Sequence, residues 1–430
     1  MNLRNVSALI LASTLAVPLA GAQRLAKHWL GTAVVTNNGN DLTVNVPVEL
    51  EVSATDGEQV RGAFVNGDQR SYSTGGSLKN GHLTLHFRSF ARTLEGDVQG
   101  NTFTGTFGGA RIKKSYTVTL HKDRDGKPGT VFAAAPASAA AKKGTTINGK
   151  WEIALNTKGR KSERAWSLDV EPFRGDGQIR AVIQKLDGDS GALYGHYDES
   201  TGEYLVSRFG DFGATAYSIQ PKADGTLLVT SLRDPKESNV ARRPADARRE
   251  NLAPPTEATE GARMKNPYAP LQFQGPNLAG NEIHSTDAEF RNKVVIVAIG
   301  GSWCPNCHDE APLLVDLYNK FHARGLEVVG LSFEEEDQLK DPERLRAFIT
   351  RYHIPYTVLL MGPPDSLNDK LQGVEDLNSW PTSFYIGRDG LVKKIHTGFS
   401  GPATGAAYTQ LRQESFALVE KLLEERAAAR

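Results

Sequence analysis

The sequence predicts a multidomain protein in which a tandem all-β region precedes a C-terminal α/β domain. Residues 24–240 alternate apolar and polar side chains in short runs separated by Gly, Asn and Asp, which is typical of antiparallel sheets. Residues 294–299 form an unbroken, β-branched apolar run, which is typical of a central strand buried on both faces. The apolar spacing from there to Phe321 is helical. A chain of 430 residues has room for two or three such domains.

Residues 1–22 have the features of a secretory signal peptide. Arg4 precedes an apolar segment from Val6 to Leu19, and the small residues at 20–22 follow it. No later segment is long and apolar enough to suggest a transmembrane helix in the mature chain. We therefore expect a periplasmic or secreted protein. Lys plus Arg and Asp plus Glu number 50 each, so the net charge gives no reason to expect a nucleic-acid partner.

Two β domains of the sandwich or barrel type are predicted, at residues 24–132 and 145–240. Trp29 and Trp151 each open a similar segment, 122 residues apart, which suggests that the second domain is a repeat of the first. Both tryptophans are expected in the cores. The Ala-rich stretch 133–143 between the domains is typical of a linker.

Residues 241–266 are predicted to form a Pro- and Arg-rich linker that is mostly extended and exposed. Five prolines lie between Arg242 and Pro270, and the arginines come in pairs at 242/243 and 248/249. The pairs could dock a partner, but a solvated linker is the favoured interpretation.

Cys304 and Cys307 are the two cysteines of the chain, and they are three residues apart. Pro305 suits the first turn of a helix, so both thiols are expected at a helix start. An exported protein that used disulfides as staples would usually contain several scattered pairs. Because a helix N-terminus favours a thiolate, Cys304 is expected to be the attacking nucleophile and Cys307 the resolving thiol.

The motif Trp303-Cys304-Pro305-Asn306-Cys307, followed by Glu310 and Pro312, resembles the TlpA- and ResA-like branch of the thioredoxin superfamily, within the redoxin or AhpC/TSA group. The resemblance covers residues 267–430 and implies a thioredoxin-like domain. In that branch a Glu at the position of Glu310 influences thiol titration, which suggests a role in setting a thiol pKa or relaying a proton. Asn306 departs from the pattern, since the branch often has Pro there, and this leaves the reduction potential open.

Trp380-Pro381-Thr382 matches the cis-proline loop of the same family. The resemblance implies that Pro381 lies beside the dithiol and that the backbone of Trp380 can pair with an extended substrate. Trp303, Trp380 and Thr382 are therefore the candidate substrate-binding residues.

The remaining elements of this domain follow the family order. Leu326–Phe333 is predicted as a buried strand, Asp341-Pro342-Glu343 as a helix start, and residues 405–429 as the closing helix. The acidic run 334–336 is expected to be a solvated loop.

The predicted function is an exported thiol–disulfide oxidoreductase. It would exchange electrons between the Cys304–Cys307 pair and disulfides of extracytoplasmic proteins, acting as a reductant with a membrane or extracytoplasmic electron donor. No cofactor is expected besides the redox-active disulfide. No metal is expected either, because zinc needs about four ligands and His82 and His86, on one strand face, lack a third.

Two alternatives stay open. A peroxiredoxin-like peroxidase would carry Pro and Thr seven and three residues before the reactive Cys, where this chain has Val297 and Gly301. The other is a binding protein whose β region does the work and whose redox domain is an accessory.

Overall fold

The computed structural model describes residues 28–36, 43–112, 114–123, 146–155, 163–174, 177–234 and 236–425. The predicted signal peptide at 1–22 and the Ala-rich linker at 133–143 lie outside this part of the chain. Within the described ranges, no helix has the length and apolar character that a membrane span requires.

Twenty-six strands and six α-helices follow one another along the described residues. The strands are β1 (His28–Thr36), β2 (Thr43–Asp56), β3 (Gln59–Asn66), β4 (Gln69–Tyr72), β5 (Gly75–Lys79), β6 (His82–Phe87), β7 (Arg92–Gln99), β8 (Thr102–Gly109), β9 (Tyr116–Lys122), β10 (Gly149–Ala154), β11 (Ala165–Pro172), β12 (Gln178–Gln184), β13 (Leu193–Asp198), β14 (Glu203–Gly210), β15 (Gly213–Pro221), β16 (Leu227–Ser231), β17 (Ser238–Arg242), β18 (Arg263–Met264), β19 (Gln274–Pro276), β20 (Glu282–His284), β21 (Val294–Gly300), β22 (Leu326–Phe333), β23 (Thr357–Gly362), β24 (Val374–Glu375), β25 (Thr382–Ile386) and β26 (Val392–Thr397). The helices are α1 (Pro244–Arg249), α2 (Pro305–Phe321), α3 (Glu336–Lys340), α4 (Glu343–Tyr352), α5 (Leu367–Lys370) and α6 (Ala406–Glu424).

The first nine strands form one antiparallel sheet in the order β2-β1-β9-β8-β7-β6-β5-β3-β4. An additional pairing between β2 and β3 joins strands from the two ends of this order, so that eight strands close into a ring and β4 branches from it. Trp29, on β1, is fully buried in the core of this first barrel, as the sequence predicts.

Strands β10 to β17 form a second closed antiparallel barrel of eight strands in sequential order. Trp151 lies on its first strand, as Trp29 does in the first barrel, and is buried in its core. The predicted fold class, a tandem all-β region followed by an α/β domain, is confirmed.

The two barrels pack directly against each other. Phe209, on β14 of the second barrel, is buried among the aromatic rings of the first and stacks edge-on against Phe64, with ring centroids 4.9 Å apart. Asn66 completes the contact, since its side-chain amide donates to the Phe209 carbonyl at 2.6 Å and accepts from the Phe209 amide at 2.8 Å. The two barrels therefore share a packed interface and are not independent domains joined only by a linker.

The prediction of a mostly extended linker at residues 241–266 is wrong in its first half. β17 reaches Arg242, and Pro244–Arg249 is helix α1. The paired arginines bind the second barrel: Arg243 lies over the ring of Trp151 at 3.7 Å, and Arg248 pairs with Glu152. Proline at the helix start and these local partners for the guanidinium groups explain the fold of this segment.

The C-terminal domain is built on a five-stranded sheet in the order β23-β22-β21-β25-β26. β21 and β22, and β22 and β23, are parallel, whereas β25 and β26 run antiparallel to their neighbours. Alternate residues of β21 enter two cores: Ile296 packs on the side of α2 and α6, and Val297 packs on the opposite side with Phe384. β21 is thus buried on both faces, which explains its unbroken apolar sequence.

The domain begins earlier than the predicted boundary at residue 267. β18, at Arg263–Met264, pairs with β24, and Ala262 is buried in the domain core. The amide of Thr397 on β26 donates to the carbonyl of Ala258 at 2.8 Å. Short polar segments of this kind carry no apolar periodicity, so the sequence pattern does not reveal them.

Candidate redox site

Cys304 and Cys307 lie where β21 leads into α2. Cys304 caps the helix, and its Sγ accepts a hydrogen bond from the backbone N–H of Cys307 at 3.2 Å. Pro305 occupies the first helical position, where its missing N–H leaves no bond unmade. Both cysteines are free thiols, and they are only 3% and 6% exposed. The loop thus places the Cys304 sulfur at the N-terminus of α2, in hydrogen-bond contact with the Cys307 amide.

Burial dominates the electrostatics of the Cys307 thiol. Burial, and then the adjoining Cys304 sulfur, raise the pKa of Cys307 well above its ordinary value. The negative charge of Glu310 acts in the same direction. Cys307 is therefore held as a neutral thiol, which suits a group that attacks only after its partner has reacted.

Glu310 lies on α2 one turn after Cys307 and is buried. The hydroxyl of Ser383, on β25, donates to its Oε1 at 2.7 Å. Burial raises the pKa of Glu310 to about 7, although the bond from Ser383 opposes the rise. Cys307 and Glu310 both line a cavity of about 40 Å³, which is large enough for a water molecule.

Trp380 and Pro381 are joined by a cis peptide bond. Pro381 is buried, and its carbonyl accepts from the amide of Gly398 at 2.7 Å. The ring of Trp380 meets that of Trp303 edge-on, with centroids 5.4 Å apart. The tryptophan before the first cysteine and the one before the proline therefore form one aromatic contact beside the dithiol.

The side chain of Thr382, a predicted substrate-binding residue, is enclosed by the protein. The residue is fully buried, and its hydroxyl donates to the carbonyl of Ser379 at 2.9 Å. Its backbone is paired within the sheet, opposite Ile299 and Thr397. Thr382 thus fixes the start of β25 after the proline, and its contact with a substrate stays a prediction.

An unexpected buried ion pair holds the loop that precedes the dithiol. Glu334 was expected in a solvated loop, but its side chain is fully buried and pairs with Arg344 of α4 at 2.9 Å. Glu334 also accepts from the amide and the hydroxyl of Ser302, both at 2.7 Å. The Arg344 Nε donates to the same hydroxyl at 2.8 Å. Because Ser302 lies two residues before Cys304, this network fixes the position of the reactive loop.

Sequence reasoning missed this network because its members come from separate elements. Glu334 follows β22 directly, and the end of a parallel strand next to β21 brings it to the edge where Ser302 lies. The position of Glu334 at the end of a parallel strand was the available sequence signal. Glu335 and Glu336 follow it, so the run was interpreted as a solvated acidic loop.

His308, the residue after Cys307, is also buried and was not predicted as part of the site. Its Nε2 donates to the carbonyl of Ser302 at 2.9 Å, and its Nδ1 lies 3.1 Å from the hydroxyl of Tyr352. Burial lowers the pKa of His308 to about 3. The ring of Phe90, from the first barrel, stacks on the imidazole with centroids 4.3 Å apart. His308 is thus a neutral side chain that connects the reactive loop to the β region.

The structure brings Trp303, Cys304, Cys307 and Trp380 into one region, with Pro381 next to them and Glu310 beneath Cys307. In the described part of the chain, no group of three or more His, Cys, Asp or Glu side chains could hold a metal ion. The arrangement can carry out one kind of chemistry, namely the making and breaking of disulfide bonds.

This fold and this dithiol are similar to those of thioredoxin-like redoxins. Residues 268–395 match the model of the AhpC/TSA family. A thiol-disulfide oxidoreductase ResA from Bacillus thuringiensis subsp. konkukian (strain 97-27) is 31% identical over 120 residues, which are 28% of this chain and 62% of that protein. ResA from Bacillus anthracis is 28% identical over the same shares. The chain thus spans less than two thirds of the length of these curated relatives. The expected resemblance of the C-terminal part is confirmed.

Solved structures match about a third of the chain. A putative thiol:disulfide interchange protein DsbE from Chlorobium tepidum is 24% identical, covers 36% of this chain and 99% of its own, and gives a TM-score of 0.29. StoA from Bacillus subtilis is 19% identical, covers 35% and 99%, and gives a TM-score of 0.26.

Proposed function

We propose that this protein is an exported thiol–disulfide oxidoreductase that acts as a reductant on disulfides of extracytoplasmic proteins. The observation that carries the proposal is the position of Cys304, whose sulfur accepts the Cys307 amide at a helix start beside the Trp380–Pro381 loop. The named relatives, which are thiol-disulfide oxidoreductases, support the same reaction class for residues 268–395. The apolar sequence at residues 6–19 supports export.

The proposed reaction takes place in two exchanges. The Cys304 thiolate attacks one sulfur of the substrate disulfide, and the other substrate sulfur leaves as a thiolate that takes up a proton. Cys307 then loses its proton and attacks Cys304, so that the Cys304–Cys307 disulfide forms and the second substrate thiol is released. Two electrons pass from the dithiol to the substrate, and an electron donor outside the chain must restore the dithiol.

In this proposal, Glu310 accepts the proton of Cys307. It lines the same small cavity, and its pKa of about 7 allows it to bind and release a proton near neutral pH. The direction of electron flow is part of the proposal and depends on the reduction potential of the dithiol.

The peroxidase alternative lacks support at the reactive residues. Val297 and Gly301 stand where a peroxidase of that family carries Pro and Thr, and Val297 is fully buried in β21. A second thiol three residues after the first fits disulfide exchange. If Cys304 alone reacted with a peroxide, Cys307 would have no role in that step.

Trapping distinguishes the proposal from its alternatives. The Cys307→Ser variant should accumulate a mixed disulfide with a protein substrate through Cys304, whereas Cys304→Ser should form none. Equilibration of the wild-type protein with glutathione should give a potential more negative than about −220 mV. A potential near that of strong oxidants, about −120 mV, would contradict the role as a reductant, and equal trapping by the two variants would contradict the assignment of the nucleophile.

A further inference from the structure

A loop of the second barrel reaches the redox site. Residues 185–192, here called the barrel loop, connect β12 to β13 and contact the C-terminal domain on both sides of the dithiol. The loop is braced from within, because Lys185 and Gly188 exchange two backbone hydrogen bonds of 3.1 Å and the Asp189 carboxylate accepts from Gly191 at 2.6 Å. It therefore presents a fixed shape to the redox domain.

The barrel loop binds the residue between the two cysteines. The side-chain amide of Asn306 donates to the carbonyl of Asp187 at 3.0 Å, and its oxygen accepts from the amide of Ser190 at 3.0 Å. A proline at position 306 could form neither bond. Gly188 lies directly on this side chain, since a Cβ at Gly188 would come within 2.6 Å of the Asn306 amide carbon. No residue larger than glycine fits there without displacing one of the two domains.

The barrel loop also uses the backbone groups that flank the proline loop. The Asp187 carboxylate accepts from the amide of Trp380 at 3.3 Å, and the Asp187 carbonyl accepts from the amide of Phe399 at 3.0 Å. Gly188 and Phe399 form a parallel bridge, as two paired strands would. The Asp189 carboxylate accepts from the amide of Gly401 at 2.7 Å. An extended substrate chain that paired with Trp380 would compete for these same groups.

The first barrel covers the other side of the site. The guanidinium of Arg111 lies 4.5 Å from the centre of the Trp303 ring, and its Nη1 pairs with Glu335 at 2.7 Å. With both barrels in place, Cys304 is only 3% exposed. For disulfide exchange, the Cys304 sulfur must approach a disulfide of another protein in line with its S–S bond. That approach needs a wider opening than this.

We propose that the barrel loop occupies the groove that an extended disulfide substrate would use, so that Asp187 and Asp189 determine which disulfides reach Cys304. The partner that fits this groove is a protein with a disulfide in an extended segment. That segment would bind the Trp380 amide in place of the barrel loop. The consequence for exchange rests on the proposed function, whereas the occlusion of Cys304 does not.

The occlusion is measured by alkylation of the reduced full-length protein with a bulky maleimide, with Cys304 modification followed by mass spectrometry. The Asp187→Ala/Asp189→Ala double variant loses the carboxylate bonds to Trp380 and Gly401 and keeps both thiols. We expect Cys304 to react at least about tenfold faster, because two hydrogen bonds, one part-buried and one buried, no longer hold the loop in place. Asp224→Ala is the matched control: Asp224 lies in an exposed turn of the same barrel and binds only Thr226 in the described structure, so the rate should stay within about twofold.

Hydrogen exchange of the peptide that contains Trp380, Phe399 and Gly401 provides a second readout. Its amides should exchange faster in the double variant and not in the control, while thermal unfolding and circular dichroism show that both proteins remain folded. The inference would be overturned if Cys304 of the wild-type protein were alkylated as fast as Cys304 of the double variant. It would also be overturned if the wild-type rate equalled that of the urea-unfolded protein. If alkylation accelerates but reduction of a protein disulfide is absent in every variant, the occlusion stands and the proposed function fails.

Discussion

Replacement of Glu310 by Gln should remove a large pH dependence from the stability of the C-terminal domain. Burial raises the pKa of this carboxyl from 4.5 to about 7. The folded protein therefore binds a proton more tightly than the unfolded chain between these two values. The resulting stabilisation is fully present below pH 4.5 and is lost as the pH rises through 7, because the ionised carboxylate must then remain in a buried site.

The magnitude follows from the two pKa values. Each pKa unit corresponds to about 1.4 kcal/mol, so a change from 4.5 to about 7 corresponds to about 3 kcal/mol. The free energy of unfolding of the Glu310→Gln variant, relative to that of the wild type, should increase by about this amount between pH 4 and pH 8.5. Other titrating groups are common to both proteins and cancel in the difference.

Two measurements test this reasoning. A ¹³C titration of the glutamate carboxyls, with Glu310→Gln for assignment, should show one group with a midpoint near 7. Urea unfolding, followed through NMR signals of β21 in a background of Cys304→Ser and Cys307→Ser, should show the change in stability without thiol ionisation or barrel unfolding. Glu282→Gln, an exposed change on β20, is the control for the loss of one glutamate carboxyl. A Glu310 midpoint below about 5, or a pH-independent difference, would refute the assignment.

The remaining predictions concern the supports of the site. Arg344→Met should destabilise the C-terminal domain by about 3 to 5 kcal/mol, because it leaves the buried Glu334 carboxylate unpaired, and a second change, Glu334→Leu, should recover much of this loss in urea unfolding. Gly398→Ala should detach the barrel loop, because a Cβ there would lie 1.7 Å from the Leu186 carbonyl oxygen and φ is +76°; faster hydrogen exchange at the loop would show this, and unchanged exchange would contradict it. His308, with a pKa lowered to about 3, should show no ring titration by NMR between pH 5 and 8, and the stability that its neutral form provides should fall as the pH drops from 6.5 towards 3.

The strand, loop and helix around the dithiol could be predicted because their signals are local. The β-branched run of β21, the glycines after it and Pro305 at the first helical position all lie within a dozen residues, and each acts on the backbone next to it. The pattern of the β region was predictable for the same reason, since alternation and turn residues specify antiparallel pairing without reference to distant sequence.

Contacts between distant residues could not be predicted in this way. Glu334 is an ordinary acidic residue until Arg344 and Ser302 are placed beside it, and only the parallel pairing of β21 with β22 does so. The docking of Asp187 on Asn306 joins residues 119 positions apart, in different domains. A polar loop between two strands has no sequence feature that reports what its end contacts, because the energy of such hydrogen bonds depends on the partner and not on the loop.

Asn306 connects the two halves of the molecule. The redoxins that the motif resembles often have Pro at this position, and a proline has neither a side-chain donor nor a side-chain acceptor. Asn306 supplies both, and both are used by the barrel loop, at 3.0 Å each. The departure from the family motif and the presence of two β-barrels before the redox domain are therefore parts of one feature, a dithiol whose access depends on its own N-terminal region.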